Sequence, residues 1–140
     1  MKWLLDTCVI SELVARRPNK GVVDWVDSIE PESLYLSVIT IGEIAKGIQK
    51  LPESKRKREL RQWLEEDLLI RFDGRILVLG VDVLLALGRL TGTLENKGKT
   101  MPAIDSLVAA VAMQWGLTIV TRNVSDYDHS GIPTFNPWSS

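Results

Sequence analysis

The sequence predicts an α/β fold, with a mainly parallel sheet of four or five strands covered on both faces. Two observations carry that expectation. Short apolar runs of strand length alternate along the chain with segments of helical period, the pattern that crossover connections between parallel strands produce. Acidic residues also fall at the ends of two such runs: Asp6 ends Trp3-Leu4-Leu5, and Asp126 closely follows Leu117-Thr118-Ile119-Val120. Open α/β sheets place their ligands at the carboxyl ends of strands.

Each element has a local reason. Residues 2–6 read as a short buried strand, and residues 8–16 as a helix. A second helix runs from Asn19 or Lys20 to Ile29, after Pro18. Pro31 breaks the pattern, and Ser33-Leu34-Tyr35-Leu36-Ser37 reads as the second strand. Residues 39–50 form a helix with Ile41, Ile44, Ala45 and Ile48 on one face, ended by Pro52. Residues 53–72 read as one long amphipathic helix with Leu60, Trp63, Leu64, Leu68 and Phe72 inward. Ile76-Leu77-Val78-Leu79 is the third strand, and Asp82 is placed to cap the helix after it. Pro102 opens a further helix, where its missing N–H does no harm, and Gly116 ends it. Residues 117–121 are the fourth strand, and the tail from Ile132 to Trp138 adds a short edge strand.

Size and composition narrow the function classes. A chain of 140 residues reads as one domain, residues 1–140, long enough to bury a core. Hydrophobic residues make up 45% and charged residues 25%, which fits a globular protein and argues against disorder. With a net charge of −1, any nucleic-acid binding has to come from local basic patches. Cys8 is the single cysteine, so no intrachain disulfide forms, in keeping with a reducing, cytoplasmic setting. The N-terminal apolar stretch is too short for a signal peptide. No run approaches the ~20 apolar residues of a membrane span.

Four acids are the candidate chemistry: Asp6, Glu43, Asp105 and Asp126. Each has an ordinary alternative. Asp6 suits an N-cap. Glu43 points away from the apolar stripe of its helix and shares a side with Lys46, Gly47 and Lys50. From that helix alone it reads as a solvated glutamate, unless the polar face looks into the cleft. Gly47 would leave room there for a ligand or a neighbouring backbone. Asp105 suits the positive end of a helix dipole. It also sits at the edge of a stripe formed by Ile104, Leu107, Val108, Val111, Ala112 and Trp115, where a carboxylate needs partners or a metal. Asp126 and Asn123 suit a turn. Taken together, four convergent carboxylates repel one another and call for a compensating cation. An all-oxygen site suits Mg²⁺ or Mn²⁺, and metal-assisted phosphodiester hydrolysis is the leading chemistry.

The stretches Leu4-Leu5-Asp6-Thr7 with Ser11-Glu12-Leu13, Ser37 to Ile44 with Gly47-Ile48, Pro102 to Ala110, and Val120-Thr121-Arg122-Asn123 with Asp126-Tyr127 resemble the PIN-domain family. Within it they are most similar to VapC-type toxins of toxin–antitoxin modules, including the FitB-like branch. The resemblance covers nearly the whole chain in matching order and spacing. It implies a three-layer α/β/α nuclease domain that binds Mg²⁺ or Mn²⁺, cleaves RNA, is blocked by a cognate antitoxin and forms a homodimer. The family's acids map onto Asp6, Glu43, Asp105 and Asp126, with Asp6, Asp105 and Asp126 as metal ligands. Thr7, Thr121 and Asn123 would support them. One departure is Cys8, where the family pattern has Asn and where Cys cannot make the same hydrogen bonds.

Arg122, inside the loop after the fourth strand, and Lys46, beside Glu43, are the candidate RNA contacts. The basic run from Lys55 to Arg58 reads as a solvated face, and Trp25, Trp63 and Trp115 as core or interface. His129 is the only histidine, which excludes a two-histidine acid–base mechanism. No P-loop is present. The Asp-x-Asp pair of many Mg²⁺ phosphotransferases is absent, because position 8 is Cys. The alternative function is a PIN-like module that binds RNA or protein and has weak or no catalysis. The homodimer expectation also rests on large apolar residues in the helices at 21–29, 38–51 and 60–72.

Overall fold

The computed structural model describes residues 1–139; Ser140, the last position of the expected domain, lies outside them. Strand β1 (Trp3–Leu5) is the middle of a five-stranded sheet with β2 (Leu34–Ser37), β3 (Ile76–Leu77), β4 (Thr118–Val120) and β5 (Thr134–Phe135). The order is β3-β2-β1-β4-β5, and every neighbouring pair is parallel. The chain builds outward from β1 through β2 to β3, then returns to the other side of β1 for β4. The reversal lies between β1 and β4, where Leu4 sits beside Ile119 and Leu5 beside Val120. Open sheets form their ligand crevice at such a reversal.

The helices are α1 (Thr7–Leu13), α2 (Lys20–Ser28), α3 (Val38–Gln49), α4 (Lys55–Gln62), α5 (Leu69–Arg71), α6 (Val81–Asn96) and α7 (Ala103–Trp115). They cover both faces of the sheet, giving three layers, α/β/α. Alternate residues of a strand face opposite sides, and the two cores follow from that. Leu4 and Ile119 face α6 and α7, packing with Val83, Leu90, Val108 and Val111. Leu5 and Val120 face the other way, with Val9, Ile10, Val22, Ile44, Leu64 and Phe72. Asn19 caps α2 by accepting from Val22 N at 3.1 Å. Gly116 ends α7 at φ 66°, a left-handed conformation that favours glycine.

Several expectations change in three dimensions. The helix at 8–16 stops at Leu13. The third strand pairs only through Ile76 and Leu77, and Val78 and Leu79 leave the sheet exposed. Asp82 does not occupy the cap of α6. Gly80 does, and the Asp82 carboxylate instead accepts from Val83 N at 2.8 Å within the first turn.

The stretch expected as one helix over 53–72 is helical from Lys55 to Arg71, with a π-type turn at Trp63–Leu68. Its inward residues Leu60, Leu64, Leu68 and Phe72 are spaced by four. A spacing of four drifts by about 40° per step around an α-helix of 3.6 residues per turn, and the wider turn takes up that drift.

On α7 the buried side runs through Ala109 and Ala110, while Ile104 and Trp115 are exposed. Ala45 is exposed as well. The apolar residues invoked for a dimer surface, Val22, Val26, Ile44, Ile48, Leu64 and Leu68, are buried within this chain. Exposed apolar side chains gather instead at Val78, Leu79, Val81, Leu84 and Leu85. Among the described residues, no helix is long and apolar enough to cross a membrane.

Candidate active site

Asp6 leaves β1 and enters α1, and both readings of it hold at once. Its backbone is extended (φ −72°, ψ 161°), and Oδ1 accepts from Thr7 N at 2.9 Å as the N-cap. Its other oxygen, Oδ2, accepts from the Tyr127 hydroxyl at 3.2 Å. The Asp6 N–H donates to the Val120 carbonyl at 3.0 Å, which fixes the carboxylate at the β1/β4 reversal. Burial pushes its carboxyl above the ordinary aspartate range, with a further push from the Glu43 charge. The Thr7 N–H, Thr121 and Tyr127 pull the other way. Burial and the neighbouring acids also hold the Tyr127 phenol far above its usual range, so it stays a neutral donor.

Glu43 reaches the same cleft from α3. Ser37, the N-cap of α3, accepts from Thr40 N, and the helix then carries Glu43 toward α1. The Thr7 hydroxyl donates to Glu43 Oε1 at 2.5 Å, and Thr40 Oγ1 lies 3.2 Å from the same hydroxyl. The polar face of α3 therefore does look into the cleft. A Cβ added at Gly47 would meet open space, consistent with the room expected there.

Asp105 sits in the first turn of α7 and raises its carboxylate beside the other three acids. Burial, then the charges of Asp126, Asp6 and Glu43, push its carboxyl up. Asp126 lies in the first turn of a 3-10 segment, Val124–Ser130. It is exposed and stands at the rim. A cleft of about 290 Å³ is lined by Asp6, Thr7, Cys8, Glu43, Asp105 and Asn123, with Ile104 as an apolar wall. Ile104 is thus a site residue that helical periodicity assigned to the core. Thr40, the partner of Thr7, carried no signal in the sequence, because the contact joins helices 33 residues apart.

Thr121 is fully buried after β4. Its hydroxyl accepts from Asn123 N at 3.1 Å and lies 3.5 Å from Cys8 Sγ. Cys8 thus keeps a polar contact in the place where the family pattern has Asn. Burial pushes its thiol up, which disfavours the thiolate. Of the two candidate RNA contacts, Lys46 lines a depression next to the cleft together with Glu43 and Lys50. Arg122 is held differently. It stacks 4.5 Å above the Trp138 ring and lies 3.6 Å from Glu12 Oε1. The Glu12–Trp138 pair went unread in the sequence, since its members are 126 residues apart.

Among the described residues, none of the four acids takes part in an ion pair, and no three His, Cys, Asp or Glu side chains already close into a metal cage. A concave set of carboxylates at a parallel-sheet reversal, in which the charges of Asp126, Asp6 and Glu43 raise the cost of ionising Asp105, defines a class of protein. That class is identified by comparison. The PIN domain model matches residues 3–128, and the chain belongs to the PIN-domain family. It is 38% identical to Toxin FitB of Neisseria gonorrhoeae over 135 residues, 96% of this chain and 97% of that protein. It is 34% identical to VapC ribonuclease Y4jK of Sinorhizobium fredii over 135 residues, covering 96% of each. The crystal structure of FitAcB from Neisseria gonorrhoeae superposes with a TM-score of 0.94 at 38% identity, covering 99% of both chains.

Proposed function

We propose that this chain is a Mg²⁺- or Mn²⁺-dependent endoribonuclease, acting in the cytoplasm as the toxin of a toxin–antitoxin pair. The observation that carries the reading is the convergence of Asp6, Glu43 and Asp105 in one cleft at the β1/β4 reversal. The charge of Asp126 acts on Asp105 and, among the described residues, no protein cation is paired to any of the four. The donor set fits the ion. All the donors are oxygen, and Asp6 and Asp105 are pushed up first by burial and then by the charge of neighbouring acids, a strain that a cation relieves. Mg²⁺ keeps several waters and takes only one or two carboxylates directly. Asp6 and Asp105 would hold it, with Asp126 and Asn123 completing the shell from the rim. When bound, the ion neutralises charge developing on the phosphate and lowers the pKa of a coordinated water.

The chain's own residues do the rest. Tyr127 and the Thr7 N–H fix the two oxygens of Asp6 in orientation. Thr7 holds Glu43, whose carboxylate is placed to take a proton from an attacking water. Ile104 gives the cleft one apolar wall. Lys46 and Lys50 offer positive charge to the RNA strand beside Glu43.

The relative FitB is named a toxin, and a matching partner surface is present here. An apolar groove lined by Val14, Ile44, Ile48, Leu60 and Trp63 runs between α1, α3 and α4 and reaches Glu43. An amphipathic helix of an antitoxin would fill it. The exposed apolar residues from Val78 to Leu85 supply a self-complementary patch for a homodimer.

The test is incubation of total RNA with the purified protein and Mn²⁺, with mapping of new 5′ ends. Cleavage leaving 5′-phosphates and stopping in EDTA is expected. Cleavage that persists in EDTA would sink the reading. Tight binding with intact RNA would favour the non-catalytic module.

A further inference from the structure

The 3-10 segment that carries Asp126 has a second side to its chemistry. At its far end, His129, Ser130 and Gly131 meet the C-terminal half of α6 in a pocket of about 360 Å³. Arg89, Thr93 and Lys97 line it from α6, and no acid does. Glu95 and Asp128 are neighbours in sequence but lie outside the lining. Among the described residues, neither the Arg89 nor the Lys97 side chain takes part in an ion pair or a hydrogen bond. Arg89, Thr93 and Lys97 are spaced by four, so they share one helix face. Lys97 stands at the helix C-terminus, where the dipole favours a cation. Arg89, a full two turns earlier, has no such explanation.

The floor of the pocket is fixed. The Ser130 hydroxyl donates to the Tyr127 carbonyl at 2.6 Å and accepts from Ile132 N at 3.1 Å. In a 3-10 helix, side chains three apart eclipse. Tyr127 and Ser130 are therefore the buried pair, and Asp126 and His129 share the exposed face. Asp126 borders the acid cluster, and His129 borders the basic pocket. One turn separates them, about 6 Å along the axis at ~2.0 Å per residue.

We propose that this pocket is a phosphate subsite for the RNA strand whose scissile bond lies at the acids. Arg89 and Lys97, with a ring N–H of His129 and the Thr93 hydroxyl, would take a backbone phosphate next along the strand. The inference rests on the ribonuclease reading and deepens it. It also explains how a chain of net charge −1 holds a polyanion: the cations lie beside the acids, separated from them by one short segment.

The experiment uses full-length protein carrying Asp105→Asn and a fluorescein-labelled single-stranded RNA, with anisotropy read over a salt series. Arg89→Gln with Lys97→Gln should weaken binding roughly tenfold at low salt. The slope of log K against log salt should shrink by about 1.4, two contacts at roughly 0.7 each on a single strand. Both side chains are exposed, so the fold should survive, and a thermal melt checks that. Lys20→Gln, an exposed lysine of α2 outside the pocket, should leave the slope as in the parent. In the otherwise wild-type enzyme the double substitution should raise KM and leave kcat within about twofold.

If the wild-type protein cleaves RNA but the double substitution changes neither slope nor KM, the subsite is wrong and the nuclease stands. If the wild-type neither cleaves nor binds RNA, both readings fall. Inorganic pyrophosphate separates strand from free ligand. Saturable shifts of the His129 resonances with pyrophosphate, combined with an unchanged RNA slope in the variant, would make this a small-phosphate site and overturn the proposal.

Discussion

Glu12 and Asp105 are both carboxylates at the edge of an apolar core, and the protein treats them in opposite ways. Glu12 is saturated. Its Oε2 accepts from Asn19 N at 3.1 Å, its Oε1 accepts from Trp138 Nε1 at 3.2 Å, and Arg122 approaches that oxygen to 3.6 Å. The Asp105 carboxylate faces three further acids and, among the described residues, has no hydrogen bond or ion pair. A structural carboxylate is given donors and a cation, because an unpaired buried charge is costly. A carboxylate left in want of a cation is kept for something that arrives. The contrast separates scaffold from site more sharply than proximity does, since Glu12 and Arg122 lie on the elements that follow Asp6 and Thr121.

Breaking the site half of the comparison gives the largest effect. Asp105→Asn or Asp6→Asn should lower cleavage by a hundredfold or more, the loss of several kcal/mol of charge stabilisation. The metal-free fold should hold its melting temperature or gain, because a repelling charge is gone at nearly constant volume. A variant that keeps wild-type kcat, or that unfolds, would show that the acids are scaffold after all.

Breaking the scaffold half should do the reverse. Glu12→Ala leaves the Trp138 and Asn19 donors and Arg122 unpaired, at a cost of ~1–3 kcal/mol in urea unfolding, with a much smaller fall in cleavage. A hundredfold loss of activity at unchanged stability would move Glu12 into the site.

The pH dependence sharpens the same distinction. Asp6 and Asp105 are raised in the folded state above their usual 3.8. The folded protein therefore binds more protons than the unfolded chain between the ordinary and the raised values. Their contribution to the stability of the metal-free protein is fully present below the ordinary value and is lost as pH rises through the raised one. Asp105→Asn should flatten that fall, and Mn²⁺ affinity should rise over the same window as the carboxyls ionise. A metal-free melting profile identical in wild type and Asp105→Asn would contradict this.

Tyr127→Phe is the smallest change. It removes one donor to Asp6 Oδ2, worth about 0.5–1.5 kcal/mol. Since that bond favours the charged carboxylate, its loss should move the acidic limb of the pH–activity curve to higher pH. A limb that stays in place would detach Tyr127 from the site.

Much of this was legible in the residues. The strand–helix alternation, the helix start after Pro18, the Gly116 stop and the acids themselves are set by interactions within a few positions of the chain, which a sequence displays directly. Periodicity misplaced Ile104, Trp115 and Ala45, because it reports that a helix has two faces and not which neighbour each face meets. The apolar residues of α2, α3 and the π-type turn looked available for a partner until the sheet buried them, while Val78 to Leu85 emerged as the exposed set.

What only the tertiary structure decided is convergence. Thr7 meets Glu43 across 36 residues, and Tyr127 meets Asp6 across 121. The first depends on β2 lying beside β1 and the second on β4 returning to the other side of β1, a choice of sheet order that no local propensity encodes. The return of β4 also tethers Arg122 to Glu12 and Trp138 and sets Asp126 and His129 on one face, with acids at one end and cations at the other. The sequence determined which groups can carry charge. The packing of the sheet determined which of those charges would be neutralised and which would be left to wait.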